Sequence, residues 1–265
     1  MVFVVYSNKN LTSKNIAEAI IDSVGFDEAE NLGGLRHLKY DNVSLLEINS
    51  DILKSDFIDD LAKTDFVVFV CSHTSSKGIA SLTVHSEGNW SDSALLGGKP
   101  SSLSTAAPSY MFDIISNLFK NNWTGFPVIY EATHHGPFLN APSMFVEIGG
   151  TAEALLNKDY AKIVAKSVMD ALLDKSNKVQ KTIVSGFGGM HYASKFTKMA
   201  MQKGYAFAHI MPKYYIDKTD MVTQAVERSA MKVEKGIIEW KSINSDQRSK
   251  IIEKLNDIGI DYEKI

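Results

Sequence analysis

The chain has 265 residues and a formal net charge of -3, with 45% hydrophobic and 22% charged residues. These values fit a folded domain with a substantial core and exclude disordered and fibrous architectures. The longest apolar runs, such as Phe66 to Cys71, fall far short of the roughly 20 residues of a membrane span. No basic region precedes the apolar start Met1-Val2-Phe3-Val4-Val5-Tyr6, so no signal peptide is expected. A single cysteine, Cys71, excludes an internal disulfide framework and a Cys-rich zinc module. A reducing, cytoplasmic setting is expected.

In chain order, Val2 to Tyr6 reads as a buried strand. Ile16, Ala19, Ile20 and Val24 share one helical face, and Gly25 is a stop signal. Val43 to Ile48 and Asp65 to Cys71 read as strands, with a short helix over Asp56 to Ala62 between them. Ser72 to Pro108 is rich in Ser, Thr and Gly and has no helical pattern; a segment of that length is usually functional or disordered. Tyr110 to Phe119 predicts a helix, Pro127 to Thr133 a strand and Met144 to Ile148 another. Thr151 is placed to cap one long helix running to about Lys175. Thr182 to Phe187 and Tyr205 to Met211 are further strands. Helices over Met221 to Ala230 and Asp246 to Ile258 finish the chain. The alternation predicts a single α/β domain over residues 1–265: a central sheet flanked by helices, with a helical C-terminal segment from about residue 219.

Charge is unevenly spread. Six of the 28 basic residues and none of the 31 acidic ones lie between Lys178 and Lys213, which leaves the remainder at -9. Such a segment could meet phosphate through Lys195, Lys198 and Lys213; a solvated face is the plain alternative. Lys77 and Lys99 in the Ser-rich stretch are the next candidates.

Histidine placement is more informative. Six of the seven histidines, all but His37, stand at or near the end of an expected strand or in the loop after it: His73, His85, His134, His135, His191 and His209. Sites of open α/β sheets lie beyond the carboxyl ends of strands. If the chain stays extended through His135, then Glu131, Thr133 and His135 share one face and His134 takes the other. A carboxylate and an imidazole on one face could bind a metal or hold a water. Gly186-Phe187-Gly188-Gly189-Met190-His191 is a glycine-rich turn after a strand, with His191 where a dinucleotide fingerprint has its third glycine. Gly188 and Gly189 permit close backbone approach of a ligand and could offer N–H groups to an oxyanion. There is no P-loop, nucleophile elbow, kinase signature or His-Glu-x-x-His motif. Cys71 reads as inert core.

Several of these stretches resemble one family. Ser72-His73-Thr74-Ser75 with Leu82-Thr83-Val84-His85, Glu131-Ala132-Thr133-His134-His135-Gly136-Pro137, Ser143-Met144-Phe145-Val146-Glu147-Ile148-Gly149 and Gly186-Phe187-Gly188-Gly189-Met190-His191-Tyr192 resemble the signature blocks of the archaeal-type D-aminoacyl-tRNA deacylases. Ala206-Phe207-Ala208-His209-Ile210 with Pro212-Lys213-Tyr214 resembles their last block. The dense match runs from about Ser72 to Tyr215. The chain departs from the pattern at Ser194, where proline is usual, and at Glu87, where proline or a small residue is expected.

The resemblance implies hydrolysis of the ester between a D-amino acid and the 3′ end of tRNA by a cytoplasmic, monomeric, zinc-dependent enzyme. It implies a mixed sheet flanked by helices, similar to peptidyl-tRNA hydrolases and nucleoside phosphorylases. No activated serine or cysteine is apparent, so water is the expected nucleophile. On this reading His85, His135, His191 and His209 form the pool of zinc ligands. His134 serves as acid/base, with Glu131 or Glu147 as orienter or base. His73, Gly188, Gly189, Tyr192, Lys195, Lys198 and Lys213 meet the substrate. A metal-free hydrolase of another tRNA ester or of peptidyl-tRNA is one alternative. A non-catalytic RNA-binding protein is another, although no module with stacking aromatics is recognised.

Overall fold

A computed structural model describes residues 1–61, 63–73, 78–174 and 180–265. Thr74, Ser75, Lys77 and Lys178, and the expected helix ends at Ala62 and Lys175, lie outside the described residues. The chain opens with β1 (Val2–Ser7), α1 (Leu11–Val24), β2 (Asp27–Glu28), β3 (Arg36–Tyr40) and β4 (Val43–Ile48). Two 3-10 turns, Ile52–Lys54 and Asp56–Asp60, lead into β5 (Phe66–His73). Next come β6 (Ser81–His85), the short pair β7 (Gly88–Asn89) and β8 (Ser102–Leu103), α2 (Pro108–Asn121), β9 (Val128–Tyr130) and β10 (Ser143–Gly149). The remainder is α3 (Ala152–Leu156), α4 (Lys158–Leu173), β11 (Thr182–Phe187), α5 (Ser194–Lys203), β12 (Tyr205–Met211), α6 (Met221–Glu227), β13 (Lys235–Ile238), α7 (Ser245–Asp257) and β14 (Asp261–Lys264).

Among the described residues these strands form a mixed eight-stranded sheet, ordered β2-β3-β4-β1-β5-β10-β6-β9, and a four-stranded parallel sheet, β12-β11-β13-β14. The mixed sheet flanked by helices is the expected architecture; the second sheet was not expected. The segment from about residue 219 is not simply helical, because β13 and β14 lie in it and extend that second sheet. The expected long helix after Thr151 is two. Thr151 accepts from Ala154 N and caps only α3; Asn157 then ends α3 and caps α4 by accepting from Asp159 N. Two polar residues able to satisfy orphan helix donors thus split one apolar-periodic stretch. Gly25 does end α1, in the left-handed conformation at φ 72°.

Side-chain alternation divides the large sheet into two chemically different faces. Val68, Val70, Val84, Met144, Val146 and Ile148 turn toward α1, α2 and α4 and join the largest buried cluster. The opposite face carries Phe69, Cys71 and His73 from β5 beside Phe145, Glu147 and Gly149 from β10, with Thr83 and His85 from β6 in register. Glu131 continues this row, since its N–H donates to Val84 O at 2.9 Å.

The two sheets meet along the segment after β9. Ala132 N donates to His191 O at 2.8 Å and Thr133 N to Ile210 O at 3.0 Å. His209 belongs to this seam and not to a ligand set, which corrects the expectation. The register of β12 against β11 slips between Val184 and Gly186, a bulge in which Ala208 and His209 together oppose Ser185. The fully buried His209 ring donates from Nε2 toward the Arg228 and Ser104 carbonyls, at 2.9 and 3.2 Å, and accepts from Thr133 Oγ1 at 3.1 Å. Both ring nitrogens are satisfied in the neutral form, and burial lowers the pKa to about 4.

A second close approach seats the histidine loop. Gly97 has φ 79°, and a Cβ there would lie 1.7 Å from Leu53 O. A Cβ on Gly136 would lie 2.1 Å from Gly98 N. Only hydrogen fits at either place, and Gly136 N donates to Leu96 O at 3.0 Å.

Two predictions follow from this packing. Gly97→Ala should lower the urea-unfolding free energy by at least about 1–2 kcal/mol, the cost of a left-handed non-glycine residue alone; an unchanged midpoint would contradict the close approach. His209 has a folded pKa near 4, below its unfolded value of about 6.5. Its contribution is therefore present above pH ~6.5 and lost as pH falls toward ~4, by roughly 3 kcal/mol at most. His209→Gln should flatten the pH dependence of stability in that window, and an identical slope would count against a buried neutral ring.

Candidate active site

Period-2 alternation on β5, β6 and β10 delivers Cys71, His73, His85 and Glu147 to one surface. The segment Glu131 to Gly136 closes over it, tied by Gly88 N donating to His135 O at 2.7 Å. The simple alternation expected for Glu131, Thr133 and His135 does not hold. His135 sits at φ 42°, which turns the backbone and brings both His134 and His135 beside His85, at ring-centroid separations of 4.1 and 4.8 Å. Thr133 points the other way, to His209. The loop after β11 contributes His191, whose ring stacks on His73 at 5.4 Å.

Two buried carboxylates form the centre. Glu131 Oε2 lies 3.3 Å from His191 Nε2, 3.4 Å from His73 Nδ1 and 3.7 Å from His134 Nε2. Glu147 Oε2 lies 3.4 Å from both His73 Nδ1 and His85 Nε2. Glu131 is 1% exposed and Glu147 2%, and neither Glu131 oxygen has a hydrogen-bond partner, nor has Glu147 Oε2. Burial pushes Glu147 up, but the imidazoles of His73 and His85 outweigh it and hold the carboxyl well below its usual range. His85 answers in the opposite sense: burial disfavours its charge, yet Glu147 raises its pKa to about 9. His134 and His135 are kept neutral. Burial and then the charge of His85 lower His134 well below its ordinary value and His135 to about 3.

Backbone carbonyls fix the tautomers. Nδ1–H donates to Ala132 O at 2.8 Å in His134, to Gly136 O at 2.7 Å in His135 and to Ser86 O at 3.1 Å in His85. A carbonyl only accepts, so the neutral rings of His134 and His135 present their Nε2 lone pairs to the site, whereas the Nε2 of His85 faces Glu147. Donor atoms of His73, Glu131, His134 and His191 lie within 4.8 Å of one another, as do those of His85, His134 and His135 and those of His85, Glu131 and Glu147.

The site borders a cavity of about 530 Å³, lined also by Asn10, Asp51, Ile52, Leu53, Ser72, Leu96 and Tyr192. A larger cavity of about 880 Å³ lies between α1, α2 and α4, on the other face of the sheet and away from the histidines.

Other expected residues fall differently. Gly188 and Gly189 do not offer N–H groups to a ligand: they donate to Met211 O at 2.8 Å and Ser242 Oγ at 2.9 Å. Their missing side chains make room for Glu239 and Ser242. Lys195 pairs with Glu239 at 3.0 Å, whereas Lys198 and Lys213 are exposed and in no ion pair among the described residues. Cys71 is more than inert core. It lines the cavity and its thiol donates to Glu147 Oε1 at 2.9 Å. Its place two residues before His73, on the same face, was the available signal. Glu87 is buried, accepts from Ser143 Oγ at 3.1 Å and is raised by burial to about 7. At the other departure, Ser194 N donates to Tyr192 O at 3.0 Å, a bond proline lacks the N–H to make.

Comparison with known proteins gives a consistent result. A family model for D-aminoacyl-tRNA deacylase matches residues 61–263. Proteins named D-aminoacyl-tRNA deacylase from Pyrococcus furiosus and Thermococcus kodakarensis are each 35% identical, over 95% and 99% of both chains respectively. One of the same name from Methanocaldococcus jannaschii is 33% identical over 98% of this chain and 97% of its own. A solved structure titled as a conserved protein of unknown function, AF0625, superposes with a TM-score of 0.92 at 28% identity, covering 100% of this chain and 95% of that one. With its signature blocks folded around one histidine–carboxylate cluster, this chain belongs to the D-aminoacyl-tRNA deacylase family.

Proposed function

We propose that this chain hydrolyses the ester joining a D-amino acid to the 3′ end of tRNA, releasing the free amino acid and the tRNA. The observation that carries the reading is the pair of buried carboxylates, with oxygens that lack hydrogen-bond partners, set among histidines that line one cavity. Family membership supports the substrate, and the geometry supports water as nucleophile. Cys71 is an unsuitable attacking group, since burial and the Glu147 charge raise its thiol pKa. The hydroxyl of Ser72 is engaged by Asn10 Nδ2 at 2.8 Å. His134 is the base we favour: neutral, with Nε2 directed at Glu131, it can take a proton from water and hold it beside that carboxylate. Returned to the ribose oxygen, the same proton completes the cleavage. A tRNA substrate supports a cytoplasmic setting, and a cluster assembled within one chain supports a monomer.

Zinc suits these donors. Buried Glu131 oxygens without hydrogen-bond partners, with His191 Nε2 at 3.3 Å and His73 Nδ1 at 3.4 Å, are what a cation site requires. His73, His191 and Glu131 would hold it, two imidazoles and a carboxylate. When bound, zinc lowers the pKa of water to about 7 and polarises a carbonyl.

The test is deacylation of D-Tyr-tRNA and L-Tyr-tRNA with and without chelator. We expect selective cleavage of the D ester, loss of rate on chelation, and a fall of at least about a hundredfold in His134→Ala with unchanged circular dichroism. Full activity after chelation would remove zinc from the account. A near-normal rate in His134→Ala would remove His134 from its assigned role.

A further inference from the structure

The chemistry above uses one part of the cavity wall and leaves Asp51, Ile52, Leu53 and Leu96 without a task. Asp51 starts the 3-10 turn Ile52–Lys54, and its Oδ1 accepts from Leu53 N at 3.1 Å. Among the described residues no lysine, arginine or histidine pairs with it, and the exposed side chain lines the cavity. The other carboxylates at the site are different: Glu131 and Glu147 are each set among imidazoles. Leu96 is 59% exposed at the cavity although its backbone is fixed by Gly136 and its neighbour Gly97 abuts Leu53 O. An apolar side chain held in place yet left uncovered gains on binding an apolar group.

Resting on the deacylase reading, we propose that Asp51, Ile52, Leu53 and Leu96 form the amino-acid subsite, in which Asp51 accepts the α-ammonium and the three apolar residues take the side chain. An aminoacyl ester presents three groups on Cα: a carbonyl, a cationic amine and a side chain. The carbonyl goes to the histidine–carboxylate cluster. The amine needs an unneutralised carboxylate within the same cavity, and Asp51 provides it. With those two groups placed, inverting Cα exchanges the side chain and the hydrogen, so only one enantiomer meets the apolar wall. Handedness is thereby read by position, with contacts for one isomer and none for the other.

Asp51→Asn isolates the charge, because the amide oxygen can still cap the turn. In steady-state deacylation of D-Tyr-tRNA the variant should raise KM roughly ten- to a hundredfold, the range of a lost charge-assisted hydrogen bond, with kcat little changed. N-acetyl-D-Tyr-tRNA carries no cation. Its KM as a substrate, or its inhibition constant as a competitor, should be the same in wild type and variant. An unchanged KM for D-Tyr-tRNA, or an equal loss for both esters, would overturn the subsite while leaving the deacylase reading intact. A wild type inactive on D-Tyr-tRNA would overturn the reading itself and the subsite with it.

Discussion

Two carboxylates held out of water organise this molecule. A buried, unpaired carboxylate is costly, and protonation or a cationic partner is the usual escape. Glu147 takes the second course through His73 and His85. Glu131 has three histidines around it, none closer than 3.3 Å, and no hydrogen bond to either oxygen. The surrounding structure holds that arrangement open. Strand pairing sets the heights of His73, His85 and Glu147, while the left-handed turn at His135 and the glycine contacts at Gly97 and Gly136 bring in the remaining rings. A site that fixes donors before its partner arrives spends folding energy on preorganisation and regains it on binding.

The junction of the two sheets is part of the same design. His191 comes from the second sheet, and its carbonyl accepts from Ala132 one residue after Glu131. His209, fully buried, fastens Thr133 and the backbone near Arg228 on either side of the seam. One histidine thus serves position and its neighbours serve chemistry, although all six stand near strand ends.

Much of this was legible before the structure. The strands containing Val4, Val68, Val146 and Phe207 announced themselves as apolar runs because they are buried on both faces. The grouping of His73, His85, His134, His135 and His191 followed from strand ends and family blocks. What stayed hidden has physical causes. His209 looks like the others in sequence; only a bulge, a feature of pairing, re-aims it. α5 escaped because Lys195, Lys198 and Lys203 thin its apolar face to Phe196, Met199 and Ala200. The basic run misleads in another way. Lys181, Lys195 and Lys203 find carboxylate partners in Asp113, Glu239 and Glu263, which lie 68, 44 and 60 residues away in the chain. A local charge count cannot register neutralisation at that distance.

The central claim is that Glu131 and its histidines form a preorganised cation site. Calorimetric titration of zinc into metal-stripped protein addresses it most directly, with Glu131→Gln as the comparison. The account predicts stoichiometric binding to the wild type, with release of few protons because the imidazoles are already neutral or paired, and a large loss of affinity in the variant. Wild-type protein that takes up no zinc, or a Glu131→Gln variant that binds it equally well, would contradict the account.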